Sequence, residues 1–126
     1  MNKILPCLLL FSLFAVQCKK NKLPKECLTG KVIILTCSMV IQVLNNNNVG
    51  EDNWKDIKTG QFYDNVFVVA NSCKFPTLKS GDIVFFTIQQ PNSDCGSCLA
   101  YDGQPGKKYD IKKLYTEPCE KAQGPH

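Results

Sequence analysis

The chain has 126 residues, with 15 lysines and no arginine against 11 acidic residues, for a formal net charge of +4 at pH 7. That length suits one domain with a real core, and the lack of Arg removes the usual bidentate reader of phosphates and bases, so no nucleic-acid partner is expected. One histidine, His126, is the whole supply of imidazole, which leaves Ser-His-Asp and Cys-His arrangements without a middle member; neither catalysis nor a cofactor or metal is expected.

Met1-Asn2-Lys3 opens onto an apolar run, Ile4 to Val16, that ends at Gln17-Cys18-Lys19-Lys20. A positive start followed by ~13 apolar residues is the pattern of an export signal, and it is shorter than the ~18 residues a membrane-spanning helix needs. Residues 1–17 therefore read as a signal peptide. Cleavage after Ala15 would leave seven cysteines, an odd number, in an oxidising compartment. Cleavage after Cys18, or before it with its sulfur carrying lipid, leaves six disulfide candidates: Cys27, Cys37, Cys73, Cys95, Cys98 and Cys119.

This segment resembles a bacterial lipoprotein start, in which a short apolar stretch ends at a lipid-modified cysteine followed by a polar, often Lys-rich tether. Gln17 and Ala15 stand where such starts usually carry a small residue and Leu. The resemblance implies a lipid on Cys18, a tether over 18–26 and a membrane of the cell envelope as partner. Plain secretion is the alternative.

From Cys18 onward the net charge is +3, spread along the sequence rather than gathered, as on an ordinary solvated surface. The domain is expected over 27–120, followed by a polar tail, 121–126. Lys31 to Leu44 (KVIILTCSMVIQVL) is dense in β-branched residues, and Ile33, Leu35, Cys37, Met39, Ile41 and Val43 are all apolar. That period of two predicts one long strand, bent or bulged near Cys37-Ser38, with its odd face on the core. Cys37 on that face would reach Cys73 or Cys119. Asn45 to Asn48 with Gly50 predicts a turn, because Asn and Gly accept left-handed backbone cheaply. A short helical turn is the most expected at Glu51 to Lys58, with Trp54 capping one end of the core. Strands are predicted at Phe62 to Ala70, at Ile83 to Ile88, near Leu99 to Tyr101 and at Tyr109 to Leu114, the last two flanking the hairpin signal Asp102-Gly103-Gln104-Pro105-Gly106. Five strands with a long first one predict an all-β, five-stranded OB-like Greek-key barrel, stapled by disulfides.

In this order Cys27-Leu28-Thr29-Gly30-Lys31-Val32-Ile33, Ser80-Gly81-Asp82-Ile83-Val84-Phe85-Phe86, Cys95-Gly96 and Gly106-Lys107-Lys108-Tyr109-Asp110-Ile111 together resemble the netrin-like module, the OB barrel of tissue inhibitors of metalloproteinases. The resemblance implies that barrel and, in its inhibitors, a zinc-chelating N-terminal Cys-x-Cys with a free amine. Here the leading cysteines are Cys18 and Cys27, and no Cys-x-Cys occurs.

Cys95-Gly96-Ser97-Cys98 is a CxxC in a Pro/Asn/Ser/Asp loop with no helix after it. Both sulfurs are expected to staple loops; a redox pair or half of a zinc site are the lesser readings. Asp52, Asp56, Asp64, Asp82, Asp94, Asp102 and Asp110 lie beside turn residues and read as turn formers rather than an acid-base pair. Glu51-Asp52-Asn53 and Asp56 lack calcium-loop spacing. Phe62, Tyr63, Phe67, Phe85 and Phe86 are expected in the core rather than as a base-stacking platform. The function this supports is a small exported, membrane-anchored lipoprotein with a non-enzymatic binding domain for an extracellular or periplasmic protein or glycan. The alternative is a secreted inhibitor of the metalloproteinase-inhibitor type.

Overall fold

The computed structural model describes residues 23–35, 38–92, 95 and 103–122. Five strands close a barrel: β1 (Leu28–Leu35), β2 (Met39–Val43), β5 (Val66–Val69), β6 (Ile83–Gln89) and β7 (Lys108–Tyr115). Their order around it is β1-β2-β5-β7-β6. All neighbours run antiparallel except β5 and β7, which are parallel through Val68↔Lys108 and Val69↔Tyr109. This is the expected five-stranded OB-like Greek-key barrel, although its five strands are not the five expected: the long first one supplies two of them, and the expected Leu99 to Tyr101 lies outside the described residues. Two further strands, β3 (Trp54–Lys55) and β4 (Phe62–Tyr63), form a small separate hairpin inserted between β2 and β5. A short helix, α1 (Cys119–Ala122), follows β7.

The single long strand expected over Lys31 to Leu44 is instead an antiparallel pair. β1 starts earlier, at Leu28, and the chain reverses between Leu35 and Met39, which face each other. The register also slips between Val32 and Ile34. An extra residue in one strand reverses the in-and-out parity beyond it. Leu28 and Val32 therefore point into the barrel, while Ile34 points outward beside Val40. The odd-face rule holds only on β2, where Met39, Ile41 and Val43 are buried inside. Cys37 lies outside the described residues.

Gly30 sits where β1, β2 and β6 crowd together. A Cβ there would come within 2.6 Å of Ile41 Cγ2 and 2.9 Å of Phe86 Cε1, so the barrel closes at this point because the residue has no side chain. Inside, Leu28, Val32, Ile41, Phe67, Phe86 and Ile111 form the centre of the core. Phe67 and Phe86 have ring centroids 5.9 Å apart, and Tyr109 meets Phe67 edge-on at 5.3 Å, a favourable aromatic geometry.

Over Glu51 to Lys58, where no more than a short helical turn is expected, Trp54 and Lys55 pair with Tyr63 and Phe62. The expected strand Phe62 to Ala70 splits between hairpin and barrel at Asp64-Asn65, where Asn65 has φ 60°. Trp54 does not cap an end of the core. It lies against the outside of the barrel with Ile34, Val40, Val66 and Val68, forming a second apolar cluster. The proposed strand Leu99 to Tyr101 is outside the described residues, and the strand after the Gly103–Gly106 segment, β7, pairs with β5 and β6.

Where β5 ends, a side chain continues it. Asn71, 3% exposed, donates its Nδ2 to Ile111 O at 2.9 Å and accepts from Ile111 N at 2.9 Å. The amide of Asn71 has the donor and acceptor of a peptide group, so it satisfies β7 as one more strand residue would.

Candidate interaction surfaces

Two disulfides are described. Cys27, immediately before β1, pairs with Cys119 at the start of α1, with Cα atoms 5.4 Å apart and a sequence separation of 92. Cys73, in the 3-10 turn Ser72–Lys74 after β5, pairs with Cys95 beyond β6, with a Cα separation of 5.6 Å and a sequence separation of 22. In the chain-entropy account these loops correspond to about 4.5 and about 3.5 kcal/mol. The expected bridge from Cys37 to Cys73 or Cys119 is thereby corrected, because both are taken by other partners. So is a Cys95–Cys98 redox bridge. Spacing along the chain cannot reveal such pairings, because they depend on which strand ends the barrel brings together. Cys18, Cys37 and Cys98 lie outside the described residues.

Most of the described acids are committed to backbone N–H groups. Asp56, 4% exposed, accepts from Lys58 N at 3.0 Å and from Thr59 Oγ1 at 3.1 Å, shaping the hairpin turn. Asp64 accepts from Asn53 N at 2.8 Å, Asp52 from Asn65 N at 3.1 Å and Asp82 from Lys79 N at 2.8 Å. Glu51 accepts from Gly106 N at 2.9 Å, and the buried Asp110 from Asn92 N at 3.1 Å. These are turn and loop clamps of the kind short acidic side chains form. Asp94 and Asp102 lie outside the described residues. Among the described residues no three His, Cys, Asp or Glu side chains converge as a metal site would require.

The aromatics do not gather on one surface. Phe67 and Phe86 are fully enclosed, whereas Phe62 is 58% exposed on the hairpin. Tyr63 packs on Trp54 at a centroid distance of 6.1 Å, and Phe85 alternates outward on β6, half-buried. OB barrels usually read ligands on the outer face of their central strands. Here the hairpin covers part of that face, held by Trp54 Nε1 donating to Gly103 O at 2.7 Å. What remains is a shallow groove of about 340 Å³ between Lys31, Ile33, Gln42, Tyr63 and Ser80.

A larger depression, about 560 Å³, opens on the β6–β7 side. Leu23, Pro24 and Lys25 form one wall and Lys112, Lys113 and Tyr115 the other, with Thr87 between them. Leu23 packs against the inner core and so holds the segment leading into β1 against the barrel. Lys113 Nζ lies 5.0 Å from the Tyr115 ring centroid, a cation–π distance. None of the lining residues is acidic. Sequence reading had the lysines dispersed; the barrel brings one from before β1 together with two from β7. The alternation Lys112-Lys113 beside Tyr115 was visible, but nothing in the sequence signalled that Lys25 would join them. No family model matches the chain, and no curated protein or solved structure does either.

Proposed function

We propose that this chain is a small exported lipoprotein, anchored to a cell-envelope membrane by lipid on Cys18, whose OB-like barrel is a non-enzymatic binding domain for an extracellular or periplasmic protein or glycan. The cysteine pairing is the observation that carries the reading. Cys27, the cysteine that follows Cys18 in sequence, is closed onto Cys119, and Cys73 onto Cys95, so none of these four is a partner for Cys18. Disulfides are also what a protein outside the reducing cytosol acquires. A sulfur at the end of an apolar export signal, taken by neither of these two bridges, suits acylation.

The barrel itself favours a second reading, a secreted netrin-like protease inhibitor. That chemistry requires a free N-terminal amine beside a chelating cysteine. Cys27 is 3% exposed and bridged, which leaves Cys18 alone to supply it. Intact mass and the N-terminal peptide of the mature protein, taken from fractionated cells, test both. A membrane-bound species beginning at acylated Cys18 is expected; a soluble species of unmodified mass would overturn the lipoprotein reading and direct the next assay to metalloprotease inhibition.

A further inference from the structure

The basic depression lies where the tether enters the barrel. Its first wall, Leu23 to Lys25, is the end of the segment 18–26 that the proposed function assigns to the membrane connection, and the inference rests on that reading. Four residues lie between Cys18 and Leu23, and the five steps they span reach about 17 Å at most. A barrel held on so short a leash must turn one side toward the bilayer, and the side at its root carries Lys25, Lys112 and Lys113, all exposed. Lys19, Lys20 and Lys22 precede them in the tether.

The chemistry of this side is amphipathic as well as cationic. Tyr115 and Leu23 are half-buried in its walls, and Tyr is a residue that suits the boundary between headgroups and acyl chains. The stacked Lys113 presents its ammonium from a fixed position. The nearby Glu26 is turned away, accepting from Asn46 Nδ2 at 2.9 Å on the β2 side. A compact, hydrated ammonium engages phosphate as a point charge. We propose that the depression formed by Lys25, Lys112 and Lys113 binds the phosphate headgroups of anionic membrane lipids and seats the barrel on the bilayer in one orientation.

The test uses full-length mature protein with Cys18→Ser, so that acylation plays no part, and measures co-sedimentation with phosphatidylcholine vesicles with and without phosphatidylglycerol. Binding to the anionic vesicles alone, weakened by salt, is expected. Each lysine near such a surface contributes about fivefold, so the combined Lys25→Gln, Lys112→Gln, Lys113→Gln variant should bind roughly a hundredfold more weakly. Matched substitution of Lys55, Lys74 and Lys79 should change binding by no more than a few-fold.

Absence of binding by the unacylated protein would overturn the proposal, as would loss of binding on replacing Lys19, Lys20 and Lys22 with none on replacing the barrel lysines. Displacement from the vesicles by heparin, with tighter binding to that polyanion, would assign the site to an acidic glycan instead. These outcomes do not depend on the state of Cys18, which the mass measurement decides separately.

Discussion

The β1-β2-β5 sheet buries its inner face fully and its outer face in part, and by different means. Its inner face is enclosed by the closed barrel, where Leu28, Val32, Met39, Ile41, Phe67 and Val69 meet side chains from β6 and β7. Its outer face is covered only at Ile34, Val40, Val66 and Val68, by the hairpin β3–β4, whose two strands have two residues each. Trp54 is the buried side chain that this hairpin contributes to the outer cluster, with the half-buried Tyr63 packed against it. The inner face is cooperative because every strand has two neighbours. The outer cluster depends on local contacts and on a few hydrogen bonds, among them that from Trp54 Nε1 to Gly103 O. All four residues of β5 are buried as a result, which is why Val66 to Val69 reads as an unbroken apolar run instead of an alternating one.

Substitution inside the barrel should have the largest effect. Phe67 is completely enclosed between Phe86 and Tyr109, so Phe67→Ala removes an aromatic from a site that cannot collapse and should cost about 3–5 kcal/mol. Denaturant unfolding followed by far-ultraviolet circular dichroism checks this. A cost below about 1 kcal/mol would show that the inner face is not the stabilising one.

Trp54→Ala should cost less, about 2–3 kcal/mol, because a short hairpin can swing aside rather than leave a void. Its effect should also be local. Amide exchange should quicken at Asp56 and Gly60, whose N–H groups bond to Gln61 O and Asp56 O, while Val68 and Ala70, bonded to Lys107 O and Tyr109 O, keep their protection. Equal loss of protection in both sets would erase the distinction between the two faces.

The same division explains what the sequence disclosed. Ile83 to Ile88 was legible as a nearly continuous apolar run and Tyr109 to Leu114 as one alternating up to Lys112, each between Gly- and Pro-containing segments. The β1–β2 reversal was not, since Thr36-Cys37-Ser38 contains no Gly, Pro or Asn to punctuate the run, and a bulge at Ile33 alters parity without any compositional mark. The break at Asp64-Asn65 did carry a signal: two turn-forming residues inside an apolar stretch, with Asn65 at positive φ. Aromatics in the strands were correctly expected in the core at Phe67 and Phe86, but Trp54 on the outside required knowing that the hairpin folds back. The lysine cluster was least legible, because it joins the tether to β7, and charge separated so far along a chain has no local pattern.

Tyr109 sharpens the comparison at its smallest scale, because it stands at the edge of the inner core. Half-buried, it packs against Phe67, and burial pushes its phenol above the ordinary value, since a low-dielectric site disfavours the phenolate. The folded state therefore holds that proton more tightly than the unfolded chain. The sign follows from linkage: the stabilisation is fully present below the ordinary phenol pKa of ~10 and is lost as pH rises through the higher folded value. Tyr109→Phe keeps the ring against Phe67 and removes the ionising group, so stability at neutral pH should shift by less than about 1 kcal/mol. The alkaline fall in stability should become shallower. Unfolding midpoints measured on either side of pH 10 decide it. An unchanged alkaline slope would mean that water already reaches the Tyr109 hydroxyl and that the inner face ends short of it.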